Sequence, residues 1–472
     1  MRANPSLPIR FLALSLLCAP CILLPMRAIA QTGELIILKE TGPRDQRVNM
    51  VIIGDGYTAS DKEKFKSHMQ TVADAVVKDY PLWDYTDYFN IYGIFVPSKE
   101  AGADQGAQGI YKDTYFGAAY DPTIQRLLVI DNAKGFAIIN KFVPESDMQF
   151  AIVNSDVYGG SGGQIAVANY ASPEIIAHEA QHSFTGLGDE YDYAGSTMPW
   201  EAPNTTARGT RTTVPWGYWI LPSTPVPTPA TTPYAKLPGV FEGAAYNTKG
   251  WFRPKETCRM RENGLPFCEV CMEAIILAMY RKVSPLDSVY PPRGTAVKVA
   301  ANTAAPLRVK IKKPIFHDLS VAWIVDGLVQ PDAQGPAFTK ILPPGSHRVI
   351  AKVSDTTHMV RQDPDGLMVD TASWQVTVSN VAAAAPQDAD GRGVPVLVAA
   401  DGKGFWTRFS GTGSAHIRLT AADGTVAEDR TLTEAFPGSG RIAWNRILAP
   451  GWYLAELEQG GRTSRRYFAV PP

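Results

Sequence analysis

Two kinds of hydrophobic pattern divide this chain near Ser284. Up to that point, short unbroken apolar runs alternate with stretches in which apolar residues recur every three or four positions. Glu34–Glu40, Asn49–Ile53, Phe89–Val96, Arg126–Ile130, Phe150–Asn154 and Gln164–Asn169 are runs of strand length. After the Gly54-Asp55-Gly56-Tyr57 turn, Phe65, Met69, Val72 and Val76 mark one face of a helix, with Ser60 and Glu63 as its capping box. Those two glycines lack the spacing and the lysine of a phosphate loop, so a strand-to-helix turn is the expectation. Ser172, Pro173 and Glu174 suit the cap and first turn of a second helix. Its stripe is Ile176, Ala177, Ala180 and Phe184, and Gly186 and Gly188 end it. Cys268–Val283 predicts a closing helix. The alternation predicts an α/β (α+β) domain with a mixed sheet over residues 31–283.

Beyond Ser284 the pattern changes to apolar–polar alternation between Gly, Pro and Asp turns, as in Leu307–Ile311 and Trp374–Val378. This predicts an immunoglobulin-like β-sandwich over 284–380, a linker over 381–393 and a second small all-β sandwich domain over 394–472. Between the two regions, 194–250 is poor in periodicity and rich in Pro, Thr, Gly and Trp. With Trp200, Trp216 and Trp219 it is expected to form the ordered wall of a cleft.

The first thirty residues change the picture of where the chain works. Arg2 and Arg10 precede an apolar run from Phe11 to Leu24, and Ala28-Ile29-Ala30 is a small-x-small cleavage pattern. Residues 1–30 thus predict a signal peptide, and the protein is expected to be exported, to the periplasm or the extracellular space. No other apolar stretch is long enough to span a bilayer. Without residues 1–30 the chain carries 42 Lys and Arg against 46 Asp and Glu, which points to no nucleic-acid partner. Cys258, Cys268 and Cys271 remain. In an oxidising compartment one disulfide and one leftover thiol are expected, because a zinc site on these three needs a fourth ligand that no nearby His supplies.

The chemistry concentrates in His178-Glu179-Ala180-Gln181-His182. Histidines four apart on a helix present both imidazoles on one side, as two ligands of a tetrahedral Zn2+. Glu179 then stands where it can act as general base on a metal-activated water. A third protein ligand is required, and His68 is the only other histidine between residues 31 and 283. A carboxylate is therefore expected, Asp189 ahead of Glu190, with the other accepting a hydrogen bond from a ligating imidazole. Tyr191 and Tyr193 stand to donate to an oxyanion or simply to pack. If Gln164–Asn169 is a sheet edge, an extended peptide can pair with it beside the metal.

His178-Glu179-Ala180-Gln181-His182 followed by Gly186-Leu187-Gly188-Asp189 resembles the metzincin motif, displaced by one residue and with Asp replacing the third His. His178–Tyr191 is similar to the HExxHSF…DEY pattern of the IgA peptidase family of secreted bacterial zinc metallopeptidases. Val51–Tyr57, Gly239–Tyr246 and the cysteine-containing run Cys258–Cys271 also resemble segments of that family. The resemblance covers about Val48 to Tyr280. It implies a zinc-dependent endopeptidase acting on a protein or peptide, a metzincin-like fold, and Met260 as a methionine-turn residue. It does not imply immunoglobulin A as substrate. The C-terminal β-domains lie outside it and are expected to attach, space or bind a partner, carbohydrate or protein. The rival expectation is a non-catalytic, zinc-bearing surface protein that grips a polysaccharide or host protein, against which the intact Glu179 argues.

Overall fold

Strands whose side chains are apolar on both faces need cover on both sides, and the order of elements here supplies it. The computed structural model describes residues 33–193, 200–379, 396–401, 403–409, 413–435, 438–445 and 447–470. The expected signal peptide (1–30) and linker (381–393) lie outside these residues. The chain divides into two units. The first comprises Met1–Ser284 with two short later segments, Lys313–Asp318 and Thr356–Met368.

In the first unit a six-stranded mixed sheet is formed by β1 (Glu34–Lys39), β2 (Val48–Asp55), β3 (Phe89–Phe95), β7 (Met148–Val153), β8 (Gly160–Ser161) and β9 (Ala166–Asn169). Between β3 and β7 the short strands β4 (Asp104–Gln105), β5 (Ala119–Tyr120) and β6 (Leu128–Val129) make a separate small sheet. The order in the large sheet is β1-β3-β2-β7-β9-β8, with β3, β2, β7 and β9 mutually parallel. Every residue of β2, β3 and β9 is buried. Alternate side chains feed two cores. Met50, Ile52, Phe150 and Ile152 face one, and Val51, Ile53, Ala151 and Val153 face the other. Helix α1 (Lys62–Val77) packs on the first face, as do α3 (Pro173–Phe184) and α4 (Glu269–Tyr280). Helix α2 (Asn132–Phe142) covers the second through Ile138 and Ile139.

Several local expectations shift. The N-terminal box before α1 is Thr58 with Asp61, not Ser60 with Glu63. Asp61 accepts from the Thr58 N–H at 2.8 Å, whereas the Glu63 carboxylate is taken up by Lys66 at 2.8 Å. Helix α2 is not among the expected elements. Asp131 caps it by accepting from the Lys134 N–H at 3.1 Å. Trp216 and Trp219 are core residues (1% and 6% exposed), not a cleft wall, and only Trp200 of the three is open at 50%. Large indoles with satisfied N–H groups gain more from burial than from a wet wall. The Trp216 N–H donates to the Gly239 carbonyl at 2.7 Å, and that of Trp219 to Glu273 at 2.6 Å.

The turn after β2 is a structural device. Asp55 is fully buried and accepts from Ser98 Oγ (3.0 Å), Thr114 Oγ1 (2.9 Å) and the backbone N–H groups of Phe116 (3.0 Å) and Ala118 (2.8 Å). Gly56 follows at φ 70°, where a Cβ would lie 2.0 Å from the Gly102 carbonyl oxygen, so only glycine fits. His68, half-buried, bonds Tyr57 at 2.8 Å and stacks on Tyr170.

The second unit comprises Pro285–Lys312, Leu319–Asp355 and Val369–Pro472, and its described residues hold strands and no helix. One core gathers around Trp323 and Trp374, stacked at 5.9 Å, and another around Ile417, Leu419, Ala455 and Leu457. The strand Val369–Val378 buries every second residue over most of its length, as its sequence alternation requires.

Asp55→Ala should destabilise the first unit by about 3 kcal/mol, because two buried N–H groups lose their acceptor. A chemical-denaturation midpoint within error of the wild type would show that the loop after β2 does not depend on this carboxylate.

Candidate metal centre

Helix α3 starts at Ser172 with Pro173 in its first turn, although the Ser172 side chain makes no capping bond. Ile175, Ile176 and Ala180 seat it in the first core. That orientation sends His178 and His182 out on another side, with Nε2 atoms 3.2 Å apart. After the helix, Gly186 (φ 76°) lets the chain reverse. Asp189 Oδ1 then returns to 3.1 Å from His178 Nε2 and 3.3 Å from His182 Nε2. His178, His182 and Asp189 thereby converge on one point.

The protonation pattern gives this convergence its meaning. His178 Nδ1 lies 3.1 Å from the Arg259 carbonyl oxygen, and His182 Nδ1 lies 2.7 Å from that of Leu187. A carbonyl only accepts, so both Nδ1 atoms donate, and both Nε2 atoms of the neutral rings carry lone pairs. Two lone pairs and a carboxylate oxygen thus face one another across 3.1–3.3 Å. Such a trio repels itself unless a cation lies among its members. Donors on one small tetrahedral ion, at about 2.0–2.1 Å from it, sit about 3.3–3.4 Å apart. The arrangement fits a divalent metal.

Without the ion, protons take its place. Burial opposes charge on His182, but Asp189 and Glu179 outweigh it and lift the ring to about 9. Burial likewise pushes Asp189 up, yet hydrogen bonds from His178 and His182 hold it well below the usual carboxylate range. Metal uptake must therefore displace a proton. Glu179 stands apart from the trio, its Oε2 3.9 Å from His182 Nε2. Burial raises its pKa, with the two imidazoles pulling the other way. A Cβ on Gly162 would sit 2.3 Å from that Oε2, so the missing side chain is what admits the carboxylate.

Glu190 goes elsewhere. It is fully buried, turned toward Cys271, and bonded to no imidazole. Its backbone N–H donates to the Met260 carbonyl at 2.8 Å, and Met260 is itself fully buried. The three cysteines are free and buried, so the expected disulfide is not formed. Tyr191 stacks on His178 with ring centroids 6.1 Å apart, and Tyr193 and Tyr246 complete an aromatic cluster with it. The strand leading to α3 is not an edge. It lies between β7 and β8, and the Gly160 N–H of β8 is already engaged by the Arg126 carbonyl at 3.0 Å.

Sequence reasoning missed Asn204. Buried in the aperiodic segment, it accepts from the Gly188 N–H (2.8 Å) and donates to the Gly188 carbonyl (2.9 Å) and to Glu190 Oε1 (2.9 Å). A lone Asn in a loop offers no signal until the fold closes around it. By clipping both sides of Asp189 it fixes the position of that carboxylate. Asn204→Ala should weaken divalent-ion binding at the two histidines by about 10-fold. Isothermal titration of the metal-stripped protein with Zn2+ measures this, and an unchanged affinity would deny the clip its role.

A family model described as IgA Peptidase M64 matches residues 36–236 and 230–279. No curated protein matches the chain. Similar solved structures include the "Biofilm associated protein - BSP domain" (15% identity, 39% of this chain, 29% of that one, TM-score 0.17). Others are the Clostridium thermocellum CbhA fibronectin(III)-like modules (12%, 39%, 92%, 0.15) and the Parabacteroides merdae β-glucuronidase (12%, 47%, 28%, 0.16). The chain spans less than a third of the first and third of these.

Proposed function

The chain belongs to the IgA Peptidase M64 family, and from that membership we propose that it is an exported, zinc-dependent endopeptidase. His178, His182 and Asp189 are its ligands and Glu179 its general base. The observation that carries the reading is three acceptor atoms within 3.3 Å of one another beside a carboxylate that is not one of them. Zn2+ is the ion, since two imidazoles and one carboxylate with a remaining open position form a usual catalytic zinc set.

When bound there, a zinc ion supplies Lewis acidity, polarising a carbonyl and acidifying water. The protein residues do the rest. Glu179, with its proton affinity raised by burial, takes the proton of the attacking water and returns it to the departing nitrogen. The carbonyls of Arg259 and Leu187 hold the two imidazoles in the tautomer that leaves Nε2 free. Gly162 keeps the space in which Glu179 moves.

In this proposal residues 31–283 form a metzincin-like catalytic domain, and 284–380 and 394–472 form two all-β sandwich domains that attach the enzyme or bind a partner. The separate cores around Trp323 and Ile417 support that division. Among the described residues no helix is long and apolar enough to cross a membrane.

Peptide-library profiling of the zinc-loaded protein is the direct test, and cleavage abolished by a chelator is the expected result. Glu179→Gln should lower turnover by about 10²-fold or more while sparing zinc content; a variant that still cleaves at the wild-type rate would remove the base assignment. Gly162→Ala, at ordinary backbone angles, should displace the base and lower kcat by about 10-fold or more with zinc retained. Unaltered kcat would mean that Glu179 does not work from the position seen here.

A further inference from the structure

Next along the chain from the histidine site, through Glu190, lies a second convergence of donors. Cys258, Cys268, Cys271 and Glu190 each place a sulphur or a carboxylate oxygen within 4.8 Å of the others, and all four residues are buried. Cys258 Sγ and Cys271 Sγ are 3.6 Å apart, and Cys271 Sγ is 3.4 Å from Glu190 Oε1. A disulfide would need about 2.05 Å between sulphurs. Two thiolates on one tetrahedral zinc, each about 2.3 Å from it, sit about 3.8 Å apart. The sulphurs are spaced as co-ligands are.

Two further observations point the same way. Asn204 satisfies Glu190 Oε1, but Oε2 is buried with no hydrogen-bond partner. An orphaned carboxylate oxygen at zero exposure is costly unless something positive meets it. The cysteines also stand at a helix start. Cys268 caps α4 and Cys271 sits in its first turn, at the positive end of the helix dipole. The Cys268 N–H points to Cys258 Sγ at 3.4 Å.

We propose that these four residues bind a second, structural zinc ion. Four protein ligands close the coordination shell, which is the mark of a structural site, and three soft thiolates select zinc over hard cations. The fourth ligand that the spacing of the cysteines lacks arrives from Glu190. The ion would tie the turn carrying Asp189 to the Cys258–Met260 segment and to α4. That segment also provides the Arg259 carbonyl that orients His178. The second site thus braces the first, and it stands whether or not the first is catalytic.

The test removes the histidine site and asks what stays. The full chain carrying His178→Ala and His182→Ala should keep about one zinc per chain after dialysis, where the wild type keeps about two. Its cobalt-substituted form should show near-ultraviolet sulphur-to-metal charge transfer. Three thiols should become titratable only after denaturation in chelator. A double variant that holds no metal, one whose cobalt form lacks the thiolate band, or mass spectrometry showing a linked pair among the three cysteines would each overturn the proposal. Because cysteine replacement threatens folding, Glu190→Gln is the second arm. Losing one carboxylate ligand should weaken retention of this ion by about 10-fold or more, and an unchanged affinity in a folded variant would exclude Glu190 as a ligand.

Discussion

Two imidazole lone pairs and a carboxylate oxygen held 3.1–3.3 Å apart are the constraint on which the first unit depends. No protein cation balances them from inside the trio, so the arrangement holds only with a bound proton or a metal ion. The fold supports that tension from both ends. Backbone carbonyls of Leu187 and Arg259 lock the rings, and the core under Ile175, Ile176 and Ala180 locks the helix. A side chain placed by packing on one face and by hydrogen bonds on the other has little freedom to relax away from its neighbours.

The sheet explains why the site sits where it does. Parallel strands β3, β2, β7 and β9 are covered on both faces, and α3 follows directly from β9 across a turn. The histidines leave the helix on the side that the core does not occupy. The loop before β9 supplies Gly162, whose missing side chain gives Glu179 its place. Glu179 Oε2 thereby stands 3.9 Å from His182 Nε2, near the trio but outside it.

Asp189 and Glu190 show how adjacent carboxylates acquire different work. Their backbones are consecutive, so in an extended segment their side chains point to opposite sides. One side holds the imidazoles and the other holds the thiols. Asn204 and the bond from the Glu190 N–H to the Met260 carbonyl fix which is which.

What the sequence alone determined follows from short spacings. His178 and His182 lie four apart on a well-started helix, and Glu179 lies between them, so helical geometry brings them to one side without outside help. The unbroken apolar runs of β2 and β3 and the alternation of Val369–Val378 likewise carry their burial in their own pattern. Tertiary structure decided what depends on distant partners. Arg259 meets His178 across 81 positions, and Cys271 meets Glu190 across the same separation. No local periodicity encodes such a meeting. It arises only when burial forces every polar group in the interior to find a partner, which is why Asn204, the fourth donor beside the cysteines and the choice of Asp189 over Glu190 became visible only in the folded chain.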